Sequence, residues 1–434
     1  MHSNNKVKKP RRKPKPAVSE VSAVFTPPTT PLSTVSTTSS QSPSPISIQS
    51  LLSIPLAGHL VSDEVLDVVS PRIISTPRIP AVYSLNSPSK LMGISPFEYG
   101  ILHHFETWAK AKTILSNEAR LRFAWEKVIP RYLLESDILK ISVFAYSSML
   151  LLQKHNPQYL LGETSYSSSF NDESLTLYEF AFTNFESQIK QINKLNNKIK
   201  AGEPINELEA ISFVMGATIL MRVFGRHSRR TMPLISFDRS QQDFQSLCSE
   251  MRRSLTICWP ILEREQQAAL VPLQVKNIDC PLSPIIRQLL DDLDASPPEL
   301  LKGKRDHEEI NIKLALRDAI LILNAQVQQC VELSSEVPIH RFQHLTEESF
   351  WCQVYNENYF ALRILNLYCA HLLLLQYYFV RERNMWIDFM KWFQQDNVFK
   401  FGGFFYDGDQ KLYEKVVLNG YTAGCRDLWK IHID

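Results

Sequence analysis

His340-Arg-Phe-Gln-His344 sets two imidazoles one helical turn apart, the spacing with which a metalloprotease helix grips zinc. Arg341 stands where such a helix carries its glutamate base, and no third ligand is indicated. The pair reads as two core histidines. Asp291-Asp292-Leu293-Asp294 gathers three carboxylates of the kind that hold magnesium for prenyl diphosphate chemistry in all-helical enzymes. Their spacing is wrong for that task and Pro297-Pro298 ends the helix at once, so a solvated helix end is expected. Gly402-Gly403 lies between Phe401 and Phe404-Phe405-Tyr406, without the Lys-Ser or Lys-Thr of a phosphate cradle and without a strand leading into a helix. It reads as a tight turn or an aromatic-lined loop. No Ser or Cys has a recognisable nucleophile context. The chain is not expected to be an enzyme.

Charge is concentrated at one end. Lys6-Val-Lys-Lys-Pro-Arg-Arg-Lys-Pro-Lys-Pro16 holds seven basic residues, and the first sixteen positions hold no acidic one. The rest of the chain is left with 40 basic and 45 acidic residues, a mildly acidic body that lacks the phosphate-neutralising surface of a nucleic-acid binder. Proline interleaved with the charges forbids a helix, so the stretch is extended and legible to a receptor groove. Lys8, Lys9, Arg11, Arg12, Lys13 and Lys15 read as a nuclear address for an import receptor, or else as a plain charged tail. From Val21 to Ser50 about two-thirds of the residues are Ser, Thr or Pro, a composition with too little apolar surface to offset ordering entropy. Residues 1–91 are expected to be disordered.

All seven cysteines fall at or after Cys248, with no C-x-x-C pair, and no secretory segment opens the chain. A reduced, intracellular protein is expected. The most apolar window, Ile364 to Val380, is interrupted by Asn366, His371 and Gln376, which suits a buried core helix and not a membrane span.

These residues must be positioned by helices, because helical periodicity runs almost without interruption from Ser95 onward. Ser95 is placed to cap a helix with Pro96 in its first turn. Further helices are expected near 136–153, 172–199, 205–224, 241–262, 283–293, 306–333, 347–381 and 385–394. The third is the clearest: Leu175, Tyr178, Phe182, Phe185, Ile189, Ile192, Leu195 and Ile199 make one apolar stripe, and Gly202 ends it. Strand-like alternation is scarce and no fixed-period repeat is present. The expected fold class is all-α, with residues 92–434 forming one large multi-helix domain of roughly 340 residues.

Three blocks of sequence resemble the regulatory domain of fungal zinc-cluster transcription factors of the sterol uptake control type. The first is Leu91-Met-Gly-Ile-Ser-Pro-Phe-Glu-Tyr-Gly-Ile-Leu-His-His-Phe105, followed by Trp125 and Ile129-Pro130, which matches that family through Leu102, His103, His104 and Phe105. The second resembles the family's Tyr-x-x-Ala-x-x-x-Phe helix through Tyr178, Ala181 and Phe185. The third runs from Pro233 to Leu255, although Met251 and Arg252 here follow Glu250 where the family has Gly. Together the blocks keep their order across about 160 residues. The family's DNA-binding module is a zinc cluster held by six cysteines near the N-terminus. This chain has no cysteine before Cys248. Zinc is therefore not expected as a cofactor here, and strong direct DNA binding is not carried over. Either the zinc-coding part lies upstream of a misplaced start, or the cluster has been lost from a paralogue.

The resemblance implies a nuclear transcription-regulator module with protein partners in transcription and a sterol or other lipid as ligand. Tyr368, Leu372, Leu375, Phe379, Met385, Trp386, Phe389, Trp392 and Phe393 are apolar enough to line a cavity for a rigid hydrocarbon. Gly402, Gly403, Phe404, Phe405 and Tyr406 are placed to close it. The ordinary alternative is that these side chains pack on one another. A different class of function also stays open, a cytosolic all-helical interaction scaffold with no transcriptional role.

Overall fold

The computed structural model describes residues 93–109, 124–155, 172–226, 232–264, 266–267, 280–301 and 306–431. The basic segment of residues 6–16 lies outside them. Among the described residues every regular element is helical and none is a strand, as the sequence periodicity predicts.

Helix α1, Pro96–His104, starts with the cap expected of it. The Ser95 hydroxyl accepts from the Glu98 N–H at 3.1 Å and the Glu98 carboxylate accepts from the Ser95 N–H at 2.7 Å, a reciprocal box that satisfies two otherwise orphaned donors. Next come α2 (Asp137–His155), α3 (Asp172–Lys200), α4 (Glu207–Arg226) and α5 (Phe244–Cys258). Helix α1 packs on α2, α2 on α3 and α4, and α5 on α3 and α4. The apolar stripe read from α3 is what α2 and α4 cover: Ala181, Phe185, Ile192 and Ile199 are buried, and Phe185 meets Phe224 of α4 with ring centroids 5.1 Å apart.

Helix α4 is long and apolar enough to cross a membrane by length and composition. In the protein 83 % of its most apolar window is buried by its neighbours, so its all-round apolarity belongs to a core helix packed on several sides. It comes close enough to the following chain that a Cβ on Gly225 would lie 2.8 Å from Tyr377 Cε1. Only glycine fits there.

The second half comprises α6 (Pro284–Asp294), α7 (Asp306–Leu333), the single turn α8 (Phe342–Leu345), α9 (Glu348–Tyr355), α10 (Tyr359–Leu374), α11 (Met385–Phe401) and α12 (Asp407–Tyr413). Several boundaries differ from the sequence expectation. The single helix expected over 347–381 is two helices, α9 and α10, and the chain leaves helix again after Leu374. Glu357 adopts a left-handed φ of 53°, and the Asn358 side chain accepts from the N–H groups of Phe360 and Ala361, so a new helix is capped there. Asn358 also donates to the Leu301 carbonyl at 2.9 Å, a partner 57 positions away that local periodicity cannot register. Helix α11 runs past the expected Gln394 to Phe401, where Gly402 ends it with a φ of 78°.

Candidate functional site

Helices α10 and α11 carry the residues proposed from sequence to line a pocket. All sixteen residues of α10 are buried. Helix α11 begins with Asn384, whose side chain accepts from the Trp386 and Ile387 N–H groups and so aims the Trp386 indole inward. Its Nε1–H donates to the Gly225 carbonyl at 2.7 Å and to the Tyr377 carbonyl at 3.1 Å. The ring meets Tyr368 and Phe244 edge to face, each at 5.8 Å. Tyr368 lies in turn against Phe342 at 4.8 Å. Leu372, Phe379 and Phe389 are buried in the same core, and Leu375 is half-buried at its edge. Ring packs on ring throughout this group, which is the alternative of mutual packing.

The residues proposed to close the pocket follow the C-terminal end of α11. Gly402, Gly403, Phe404 and Phe405 follow the far end of α11, sixteen residues and roughly 24 Å along the helix from Trp386. Phe405 packs on Tyr359 and Phe401 at 5.9 and 5.3 Å, and Phe404 on Tyr413 at 5.6 Å. Phe399, Phe401 and Phe405 are all exposed, Phe399 to 89 %. The two groups meet where the Phe404 ring lies 6.2 Å from that of Phe393, seven residues along α11 from Trp386.

A small hollow of about 10 Å³ opens instead where α6, α10 and α12 meet, lined by Ile285, Gln288, Leu289, Leu367, Leu412 and the polar pair Arg363 and Asp409. Arg363, 4 % exposed, donates from Nε to Asp409 and from Nη2 to Asp292 at 2.7 Å, and its guanidinium lies 3.9 Å from the Tyr406 ring centroid. Burial pushes the Asp409 carboxyl up, against the opposing pull of Arg363. The solvated helix end expected at Asp291–Asp294 is therefore only partly so. Asp292 is turned inward to Arg363, while Asp294 pairs with Arg317 on the surface. Each of these two carboxylates has its own arginine, and the geometry gathers none of them round a cation. The sequence signal for this network was an arginine in the middle of Tyr359-Phe-Ala-Leu-Arg-Ile-Leu-Asn-Leu-Tyr368, a helix otherwise free of charge.

His340 and His344 lie in a short turn and α8, facing Arg222 and Arg226 of α4 and Arg252 of α5. Arginines in place of carboxylates make this no setting for a cation. No group of three or more His, Cys, Asp or Glu side chains that could hold a metal occurs among the described residues. Burial pushes the Cys248, Cys330 and Cys369 thiols up, away from the thiolate that nucleophilic chemistry requires.

Comparison with protein-family models, with characterised proteins and with solved structures finds no match to this chain.

Proposed function

We propose that this chain is the helical regulatory module of a transcription regulator, acting through protein partners and not by reading DNA itself. The observation that supports it is the way the three blocks resembling zinc-cluster regulators meet in space. Leu102, Phe105 and Ile129 of the first block, Ala181 and Phe185 of the second, and Leu247 and Met251 of the third are all core positions. They sit on α1, α3 and α5 and on the turn before α2, elements that pack on one another or on the shared α2 and α4. That the resembling blocks contribute to one packed core supports the reading. Address then rests on the basic segment, which holds seven Lys and Arg in eleven positions.

Replacing Lys8, Lys9, Arg11, Arg12, Lys13 and Lys15 by Ala is expected to move a fluorescent fusion of the full chain from nucleus to cytosol. An unreplaced fusion that is cytosolic, or a replaced one that stays nuclear, counts against the reading and favours a cytosolic scaffold.

The mode of action follows from the packed core. A sterol lodged between α10 and α11 would have to part Trp386 from Tyr368 and break the two hydrogen bonds of the indole. Titrating the full chain with sterols in detergent-matched buffer is therefore expected to leave Tm unchanged. A ligand bound only by the native state would add about 2.7 kcal/mol at a hundredfold excess over Kd, a shift of several degrees that melting would register.

A further inference from the structure

His340 and His344 share an environment dominated by positive charge. The His340 ring lies on Tyr377 with centroids 3.7 Å apart, and the Arg226 guanidinium lies over the same tyrosine at 4.7 Å. Arg226 is ion-paired with Glu336. The charged groups facing the pair are Arg222 and Arg226 from α4, Arg252 from α5, and Glu336 and Arg341 from the segment itself. The loop after α10 contributes Tyr377. Against four guanidinium groups stands one carboxylate, and that carboxylate is already engaged. His340 Nε2 and His344 Nδ1 are buried without a hydrogen-bond partner, so a proton added to either would meet no acceptor.

The segment that carries them has little regular backbone structure. It is a three-residue turn followed by the single turn α8, and it begins after Ser334, which ends α7 in the left-handed region with a φ of 49°. Arg341 N–H to Pro338 O at 3.0 Å and Thr346 N–H to Phe342 O at 3.1 Å are among its backbone hydrogen bonds. Ile339 and Phe342 anchor it in the core, and Arg252 holds its end through the Thr346 carbonyl at 3.0 Å. Short segments with few backbone bonds open at lower cost than long core helices.

We propose that Glu336–Thr346 is an acid-released element: protonation of His340 and His344 frees it from the helical body before the core helices open. Burial, then the neighbouring arginines, hold His344 at about 4 and His340 well below its ordinary value. Once released, each ring takes its proton near the ordinary 6.5. The released state binds more protons, so release gains as pH falls below about 6.5, and for His344 the gain levels off below about 4. Between pH 7.5 and 5 the gain is about thirtyfold per histidine and on the order of a thousandfold for the pair. His371, sealed in α10 and also held at about 4 by burial, adds to global opening only.

Amide hydrogen exchange of the full chain at pH 7.5 and pH 5, corrected for the intrinsic rates, tests this. Amides of residues 339–346 are expected to lose protection about a thousandfold. At pH 5 their exchange should rise with urea less steeply than that of α10 amides, because release of this segment exposes Ile339, Phe342 and their neighbours but less surface than global opening does. His344→Gln should cut the loss about thirtyfold. Unchanged protection at 339–346, or protection that follows α10 in its urea dependence, overturns the proposal. If the variant fails to fold, the wild-type exchange alone decides between these outcomes.

Discussion

Trp386→Ala is expected to destabilise the fold by about 3–5 kcal/mol, the range for deleting a buried Trp or Phe. The side chain is 1 % exposed and fills the space between Tyr368, Phe244 and Tyr377. Its loss leaves a cavity bounded by rings that cannot collapse, and it also strips the Gly225 and Tyr377 carbonyls of their indole donor. Trp386→Phe separates the two effects: it keeps most of the apolar volume and loses the donor, for an expected cost of about 1–3 kcal/mol. Urea denaturation followed by far-UV circular dichroism gives both values. A pocket-lining tryptophan would behave otherwise, leaving stability near wild type on truncation.

Arg363→Met is expected to cost about 3–5 kcal/mol, because removing one partner of a buried ion pair leaves the others uncompensated. Asp409 is 6 % exposed and Asp292 is largely covered, so both would sit beside a neutral side chain. The deficit should depend on pH. Without the guanidinium, burial raises the Asp409 carboxyl further in the folded state, while in the unfolded chain it keeps its ordinary value near 3.9. A carboxyl raised on folding favours the folded state at low pH and loses that contribution as pH rises. The gap between variant and wild type should therefore be widest near neutrality and shrink toward pH 4. Adding Asp409→Leu and Asp292→Leu should restore much of the stability, since an apolar replacement of similar volume often equals a buried charge network. A deficit that is flat with pH would mean that packing on Tyr406, at 3.9 Å, outweighs the charges.

The fold class was legible because a helix writes its partner face into every third or fourth residue. The α3 stripe, the Ser95 cap with Pro96, and the glycine after Lys200 are all local, and the structure contains each of them. The break between α9 and α10 left a local trace in Asn356-Glu-Asn358, but the apolar runs on both sides hid it, and the cap at Asn358 is secured by Leu301, far away in sequence. For the candidate site, composition identified a group of buried rings but could not say what they face. A side chain that could line a cavity is the same side chain that could fill one, and the difference lies in what approaches it from elsewhere in the chain.

By itself the sequence determined an all-helical body, the concentration of positive charge in residues 6–16, the absence of any cysteine before Cys248, and the apolar faces of the helices. Each is a property of composition or of spacing within one or two turns. Only the tertiary structure decided that Trp386 spends its donor on Gly225, 161 positions away, that Arg363 reaches Asp292 across 71, and that His340 faces arginines of α4. Those pairings are set by which helix faces meet. Helices with interchangeable apolar stripes choose among neighbours by shape and by the few polar groups that must be satisfied once water is excluded.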